Sequence, residues 1–211
     1  MQYKIGARDY LSRASARLAE NTSEGLFYAA FELRCGIEAR MEEYLDAAKH
    51  LSKRKKKGWR VAELGRSLER AFQVGNKVVR LGVHDEYSGT LLVSFYFTPI
   101  TDRLRKAGEK LGNYLHSLKT FRRSEDSWWV DFRAELEDMR TQLEIACTGT
   151  LLGPPLMKPG DTRFDMMIQF RDSEDAQKTT NLMGNQFVLD VQYLEGLPSA
   201  LEPNAHVWNA S

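Results

Sequence analysis

The sequence predicts an α+β fold, in which an N-terminal helical bundle with an inserted β-hairpin is followed by a small strand-rich C-terminal segment. Apolar residues recur at 3–4 spacing over most of residues 1–146, and two short apolar runs flank a turn-rich stretch at about residues 77–98. Six glycines and prolines then fall within residues 149–160, which excludes a helix there and marks a change of structure.

The helices follow from apolar stripes and from the residues at their ends. We expect helices over about residues 7–20, 24–50, 60–72, 102–119 and 127–146, with a break and a cap at residues 21–24. The second helix has the clearest stripe. Its members are Leu26, Ala30, Leu33, Ile37, Met41, Tyr44 and Ala48, widened by Phe27, Phe31 and Leu45.

The strands follow from alternation and turn residues. Strands are expected over about residues 77–83 and 90–98, then over residues 164–170 and 186–194, with a short helix at about 173–183 between the last two. The tail after residue 198 is expected to be loose, apart from docking of Val207 and Trp208. The predicted organisation is a helical domain at residues 1–146, a strand-rich segment at 147–197 and a tail at 198–211.

Composition excludes several classes of protein. In 211 residues, 42% are hydrophobic and 28% are charged, which is typical of a globular protein. No apolar run reaches the length of a membrane helix, and the first residues lack the apolar core of a secretory signal. Cys35 and Cys147 show no metal-ligand spacing, so we expect buried thiols in a reducing compartment, hence a cytoplasmic location, with no membrane partner.

The net charge of +1 hides two opposed halves. Residues 1–123 hold 24 Lys and Arg against 14 Asp and Glu, whereas residues 124–211 hold 6 against 15. Such opposed fields bear on partners and association. The basic half fits nucleic acid or an acidic surface of the same or another chain; a merely solvated charged surface explains the same counts.

Arg34 and Glu38 form the first candidate site. On a helical projection both fall inside the apolar arc of the second helix, and their i,i+4 spacing allows an ion pair. One interpretation is a polar site in the helical core that holds a ligand or a catalytic partner. The other is a structural ion pair that sets helix packing.

His116 forms the second candidate site. It lies opposite the apolar face of its predicted helix, beside Asn113 and Gly112, with Lys110 nearby. A histidine next to a hydrogen-bonding group is suited to acid–base chemistry near neutral pH. Glycine inside a helix costs about 1 kcal/mol relative to alanine, so Gly112 indicates a close approach. A surface histidine beside a helix contact explains the same residues.

The long amphipathic helix with its Phe27–Met41 stretch, followed by a later helix carrying Lys110-Leu-Gly-Asn-Tyr-Leu-His116, resembles the HEPN superfamily of helical domains. That family is common in toxin–antitoxin and phage-defence systems. Its RNA-cleaving members carry an arginine, four to six residues and then a histidine. The resemblance implies a metal-independent endoribonuclease without a cofactor, in which His116 is catalytic, Asn113 is its neighbour and Lys110 stands at the arginine position. Lysine keeps the charge but lacks the planar fork of arginine.

A basic run forms the third candidate site. Its positive charges could bind the phosphates of a nucleic acid, and the indole of the nearby Trp59 could stack on a base. A solvated basic loop explains it equally well. The run consists of Lys53, Arg54, Lys55, Lys56 and Lys57, with Trp59 and Arg60 beside it.

Other chemistries have no motif in this sequence. It lacks the phosphate-binding GxxxxGK[ST] loop, a GxGxxG turn, HExxH and GxSxG, and His84 and His206 have no evident partners. The leading hypothesis is an RNA-binding or RNA-cleaving HEPN-like protein of a bacterial defence or toxin-like system. The alternative is a non-catalytic assembly subunit, which binds a protein partner or forms a homo-oligomer through its acidic C-terminal half.

Overall fold

A computed structural model describes residues 5–48, 61–115, 123, 126–155, 166–182 and 186–208. The fold is α+β, as predicted. The described helices are α1 Ala7–Ala19, α2 Ser23–Ala47, α3 Val61–Phe72, α4 Asp102–Leu115, α5 Trp128–Thr148 and α6 Ser173–Leu182. The described strands are β1 Val78–Asp85, β2 Leu91–Phe97, β3 Phe187–Leu194 and β4 Ala205–His206. No helix among these residues combines the length and apolar character needed to cross a membrane.

The chain divides into two compact units, and the elements described in the first, Met1–Ala71 with Ile100–Ala146, are all helices. α1 ends at the predicted break, where Asn21 takes a left-handed backbone with φ of 56°. Thr22 then caps α2, since its hydroxyl accepts a hydrogen bond from the Gly25 N–H at 3.0 Å. α2 packs against α1 and α4.

The predicted stripe of α2 is the core of this unit. Its members from Leu26 to Tyr44 are at most 4% exposed, because 3–4 spacing puts them on one face. The inclusion of Phe31 in that stripe was wrong, since its side chain is 50% exposed. A residue at the edge of an apolar stripe is buried only if a neighbouring helix covers it, and the 3–4 spacing of the sequence does not show whether one does.

The second unit, Phe72–Pro99 with Cys147–Ser211, contains a four-stranded sheet in the order β3-β1-β2-β4. β1 pairs antiparallel with β2 and β3, and β4 pairs parallel with β2. One face of the β1–β2 hairpin is apolar and buried. It includes Val79, Leu81, Val83, Phe95 and Phe97.

Three details of the second unit differ from the predictions. The hairpin was assigned to the helical domain, yet its strands pair with β3 and β4 in one sheet. The tail, expected to be loose apart from docking of Val207 and Trp208, also supplies β4, whereas the bridge between Val207 and Gly149 agrees with the expected docking. Of the strand expected at residues 164–170, the described part forms only an isolated bridge at Ile168. Each difference comes from pairing between distant segments, which local periodicity does not encode.

Candidate functional site

Arg34 and Glu38 lie on α2 and form the ion pair that their spacing predicts. Arg34 Nε lies 3.1 Å from Glu38 Oε1, and each side chain is 24% exposed. The pair is therefore half-buried. Among the described residues, no hydrogen bond engages the two Nη atoms of Arg34, which therefore remain donors suited to an oxygen ligand.

Gly112 of α4 lies directly against this guanidinium. A Cβ at Gly112 would come within 2.2 Å of Arg34 Nη1, far inside van der Waals contact. The absence of a side chain at Gly112 is therefore what admits the Arg34 head group beside α4. This contact is the close approach that a glycine inside the helix predicted.

Asn113 and Lys110 lie on the same helix but have different surroundings. Asn113 is exposed, next to the Gly112 contact. Lys110 Nζ lies 2.7 Å from Oε1 of Glu135 on α5, and also over the ring of Tyr114 on its own helix. The hydrogen bond to Glu135 raises the pKa of Lys110. The basic side chain that contacts Gly112 is therefore that of Arg34, whereas Lys110 pairs with Glu135.

The remaining predicted site residues lie outside the described part of the chain. They are His116 and the basic run of Lys53, Arg54, Lys55, Lys56, Lys57, Trp59 and Arg60. Their proposed roles stay predictions.

Arg40 is a buried residue that the sequence reading passed over. Its side chain has no exposed surface, and Nη1 lies 2.8 Å from Glu43 Oε2. Nε donates to the Tyr44 hydroxyl and to the Ala146 carbonyl, each at 3.0 Å. Glu43 also accepts the Ala7 N–H at 2.9 Å. The network thus satisfies backbone groups at the start of α1 and near the end of α5, so its role is structural. The sequence could have indicated its burial, because Arg40 falls on the apolar stripe of α2 between Ile37 and Tyr44.

A cluster of charged and hydroxyl groups lies on the second face of the sheet in the other unit. Arg80 is 7% exposed and lies between Glu202 at 2.5 Å and Asp190 at 3.2 Å. Tyr96 donates a short hydrogen bond to Glu202. Burial opposes ionisation of Glu202, but the hydrogen bonds from Tyr96 and Arg80 outweigh it and lower its pKa to about 2. Burial and the bond to Glu202 raise the pKa of Tyr96 to about 12. The ionised pair holds the chain near residue 202 on the sheet.

His206 has a partner, contrary to the prediction from sequence. Its Nε2 lies 2.7 Å from Asp175 Oδ2, and its side chain is 8% exposed. Burial opposes ionisation of Asp175, but hydrogen bonds from Arg171 and His206 lower its pKa to about 2. Within the described residues, Nδ1 of His206 is buried without a hydrogen-bond partner. The pair joins α6 to β4, and no nucleophile among the described residues bonds this ring.

Two further chemistries find no support among the described residues. Burial, followed by the charges of Glu38 and Glu32, raises the pKa of the Cys35 thiol to about 11, which disfavours a reactive thiolate. No group of three or more metal-ligating side chains comes together in the part of the chain that the structure describes.

Comparisons of the chain with protein-family models, with curated proteins and with solved structures found no match. The HEPN resemblance therefore depends on the residues themselves.

Proposed function

We propose that this chain is a HEPN-like, RNA-associated protein in which Arg34 binds an RNA phosphate at the contact between α2 and α4. The observation that carries the proposal is the guanidinium of Arg34 beside Gly112, on a side chain that is 24% exposed and that pairs with Glu38 at 3.1 Å. The RNA-cleaving members that the chain resembles carry an arginine, four to six residues and then a histidine, and no arginine stands at that spacing before His116. A guanidinium supplied by another helix meets the same chemical need.

Each part of the proposed site has a separate task. Glu38 engages Nε and leaves the two Nη groups to donate to a phosphate in the bidentate manner of arginine. Asn113, the residue after Gly112, is exposed and offers an amide donor. His116 is the proposed acid–base group if RNA is cleaved, and the run at residues 53–57 supplies non-specific attraction to the backbone. A bacterial defence or toxin-like system is the proposed setting.

The first experiment measures binding of labelled single-stranded RNA by fluorescence anisotropy. Arg34→Gln is expected to weaken binding roughly tenfold or more, since a hydrogen bond to a charged group contributes about 1.5–3 kcal/mol. Arg103→Gln is the matched control: it removes the same charge from the helical unit, at an ion-paired side chain that is 73% exposed. Equal losses in the two variants would remove Arg34 from the site.

The second experiment separates cleavage and backbone attraction from phosphate binding by Arg34. Degradation of labelled RNA in the presence of EDTA is expected to stop in His116→Ala; degradation that persists in this variant excludes His116. Neutralising Lys55, Lys56 and Lys57 together is expected to flatten the dependence of log K on log salt by about 2, because each phosphate contact on a single strand contributes about 0.7. An unchanged slope excludes the basic run.

A second candidate function, a non-catalytic assembly subunit, is favoured by a different observation. Three of the exposed large apolar side chains lie on β3, at the edge of the sheet: Val191 and Tyr193 on one face and Val188 on the other. An exposed apolar edge strand is typical of an interaction surface.

A further inference from the structure

β3 is an edge strand whose outer backbone groups have no hydrogen-bond partner among the described residues. It ends the sheet order β3-β1-β2-β4. The Glu86 N–H donates to the Gln186 carbonyl at 3.3 Å, and the register between β1 and β3 continues from there without interruption. Hydrogen-bonded pairs alternate in antiparallel strands, so Leu189, Val191 and Tyr193 direct their N–H and C=O groups away from β1. No described residue bonds to these groups.

β3 also lacks the features that protect sheet edges. Its sequence, FVLDVQYL, contains no lysine, arginine, proline or glycine, and its pairing with β1 contains no bulge. Its one charge, Asp190, is already paired with Arg80 at 3.2 Å. The side chains of Val188, Val191 and Tyr193 are 53%, 39% and 51% exposed. A straight, apolar, open edge of eight residues is a template for another strand.

We propose that β3 pairs antiparallel with β3 of a second copy of this chain and joins the two sheets into one. Two registers align nearly the whole strand about a twofold axis, one centred on Asp190 and one on Val191. The first puts Asp190 opposite its own copy in a close pair, where like charges repel. The second puts Asp190 opposite Gln192, Leu189 opposite Tyr193, and Val191 opposite itself.

The register centred on Val191 pairs the outward backbone groups, covers exposed apolar side chains and avoids a pair of like charges. Leu189, Val191 and Tyr193, which carry the outward backbone groups, become the hydrogen-bonded positions. The exposed apolar side chains of Val191 and Tyr193 meet apolar partners, and the carboxylate of Asp190 faces an amide. Self-complementarity of this kind is what a twofold interface requires and what selects a second copy as the occupant. The pairing does not depend on RNA association, and its test contains no RNA.

The first test is the mass in solution by size-exclusion chromatography with light scattering. The wild-type chain is expected at about 48 kDa, twice the 24.2 kDa of one chain. Val191→Lys puts two lysines at the twofold axis and is expected to give the monomer mass. Val130→Lys, the same change at a 70% exposed valine on α5, is expected to leave the dimer intact. Circular dichroism checks that both variants remain folded.

A cross-linking test gives a positive signal. In a hydrogen-bonded antiparallel pair the two Cα atoms lie about 5.5 Å apart, within the range of about 4.4–6.8 Å for disulfides. Val191→Cys, oxidised with diamide, is therefore expected to form a covalent dimer on a non-reducing gel. Val130→Cys and the wild-type chain control for other thiols. A wild-type monomer at every concentration, a dimer that survives Val191→Lys, or equal cross-linking of Val130→Cys would overturn the pairing.

Discussion

Replacing Gly112 by alanine is expected to displace the Arg34 guanidinium while leaving the stability of α4 nearly unchanged. The new Cβ would lie 2.2 Å from Arg34 Nη1. Because contacts between heavy atoms settle near about 3.5 Å, the guanidinium must move by more than about 1 Å. It is the far end of a flexible side chain, so it moves instead of the helix.

The two effects on stability nearly cancel. Alanine favours a helix over glycine by about 0.8–1.0 kcal/mol. Displacing Arg34 into a poorer rotamer costs about 0.5–1.5 kcal/mol, and weakening a solvent-accessible ion pair costs about 0–1 kcal/mol. We therefore expect the free energy of unfolding to change by no more than about 1 kcal/mol. RNA affinity should nevertheless fall as far as in Arg34→Gln, because the displaced guanidinium no longer occupies its site.

The assay combines urea unfolding, followed by circular dichroism, with RNA anisotropy. Gly65→Ala is the matched control, since its Cβ would lie 2.2 Å from Arg105 Cδ, another flexible arginine in the same unit. We expect a similar change in stability for this control and no change in RNA affinity. RNA affinity at the wild-type level in Gly112→Ala would refute the role of the close approach. Destabilisation well beyond about 2 kcal/mol would refute the inference that the guanidinium moves freely.

Two further predictions concern the buried networks. Arg40→Met is expected to lower the free energy of unfolding by about 3–5 kcal/mol, because it removes the cationic partner of the part-buried Glu43 and one of the donors to the Ala146 carbonyl, whereas Arg103→Met should cost about 0–1 kcal/mol; urea unfolding measures both. The pKa of Glu202 is lowered from its ordinary 4.5 to about 2, so its stabilisation is present above pH 4.5 and is lost as the pH falls toward 2. Glu202→Gln should therefore be less stable at neutral pH and lose less stability across that window; an acid profile parallel to wild type would contradict this.

Local patterns predicted much of the fold and part of the candidate site. α1 and α2 lie where the 3–4 stripe and the Asn21–Thr22 break predicted them, because helix period and capping are properties of neighbouring residues. The Arg34–Glu38 pair was predictable for the same reason, since both partners lie on one helix, four residues apart. Arg40 was equally predictable, because it interrupts the apolar stripe of α2.

Contacts between distant segments were not predictable in this way. β1 pairs with β3, more than a hundred residues later, and the alternation of β1 fits several partners equally well. Arg80 with Glu202 and Asp175 with His206 likewise join residues that no spacing relates. The contact of Arg34 with Gly112 was predictable only in part. A glycine inside a helix predicted a close approach, but the sequence did not show which side chain makes it.

By itself, therefore, the sequence determined the helices, the hairpin, the opposed charges of the two halves and the Arg34–Glu38 pair. Tertiary structure alone decided that the hairpin joins the C-terminal strands, that Arg34 lies against α4 and that β3 is left at an open edge. The physical reason is the distance along the chain over which the deciding interactions act. Helix period, turns and i,i+4 pairs are set by interactions along a few residues, whereas strand order and interhelical contacts depend on which distant surfaces bury each other best.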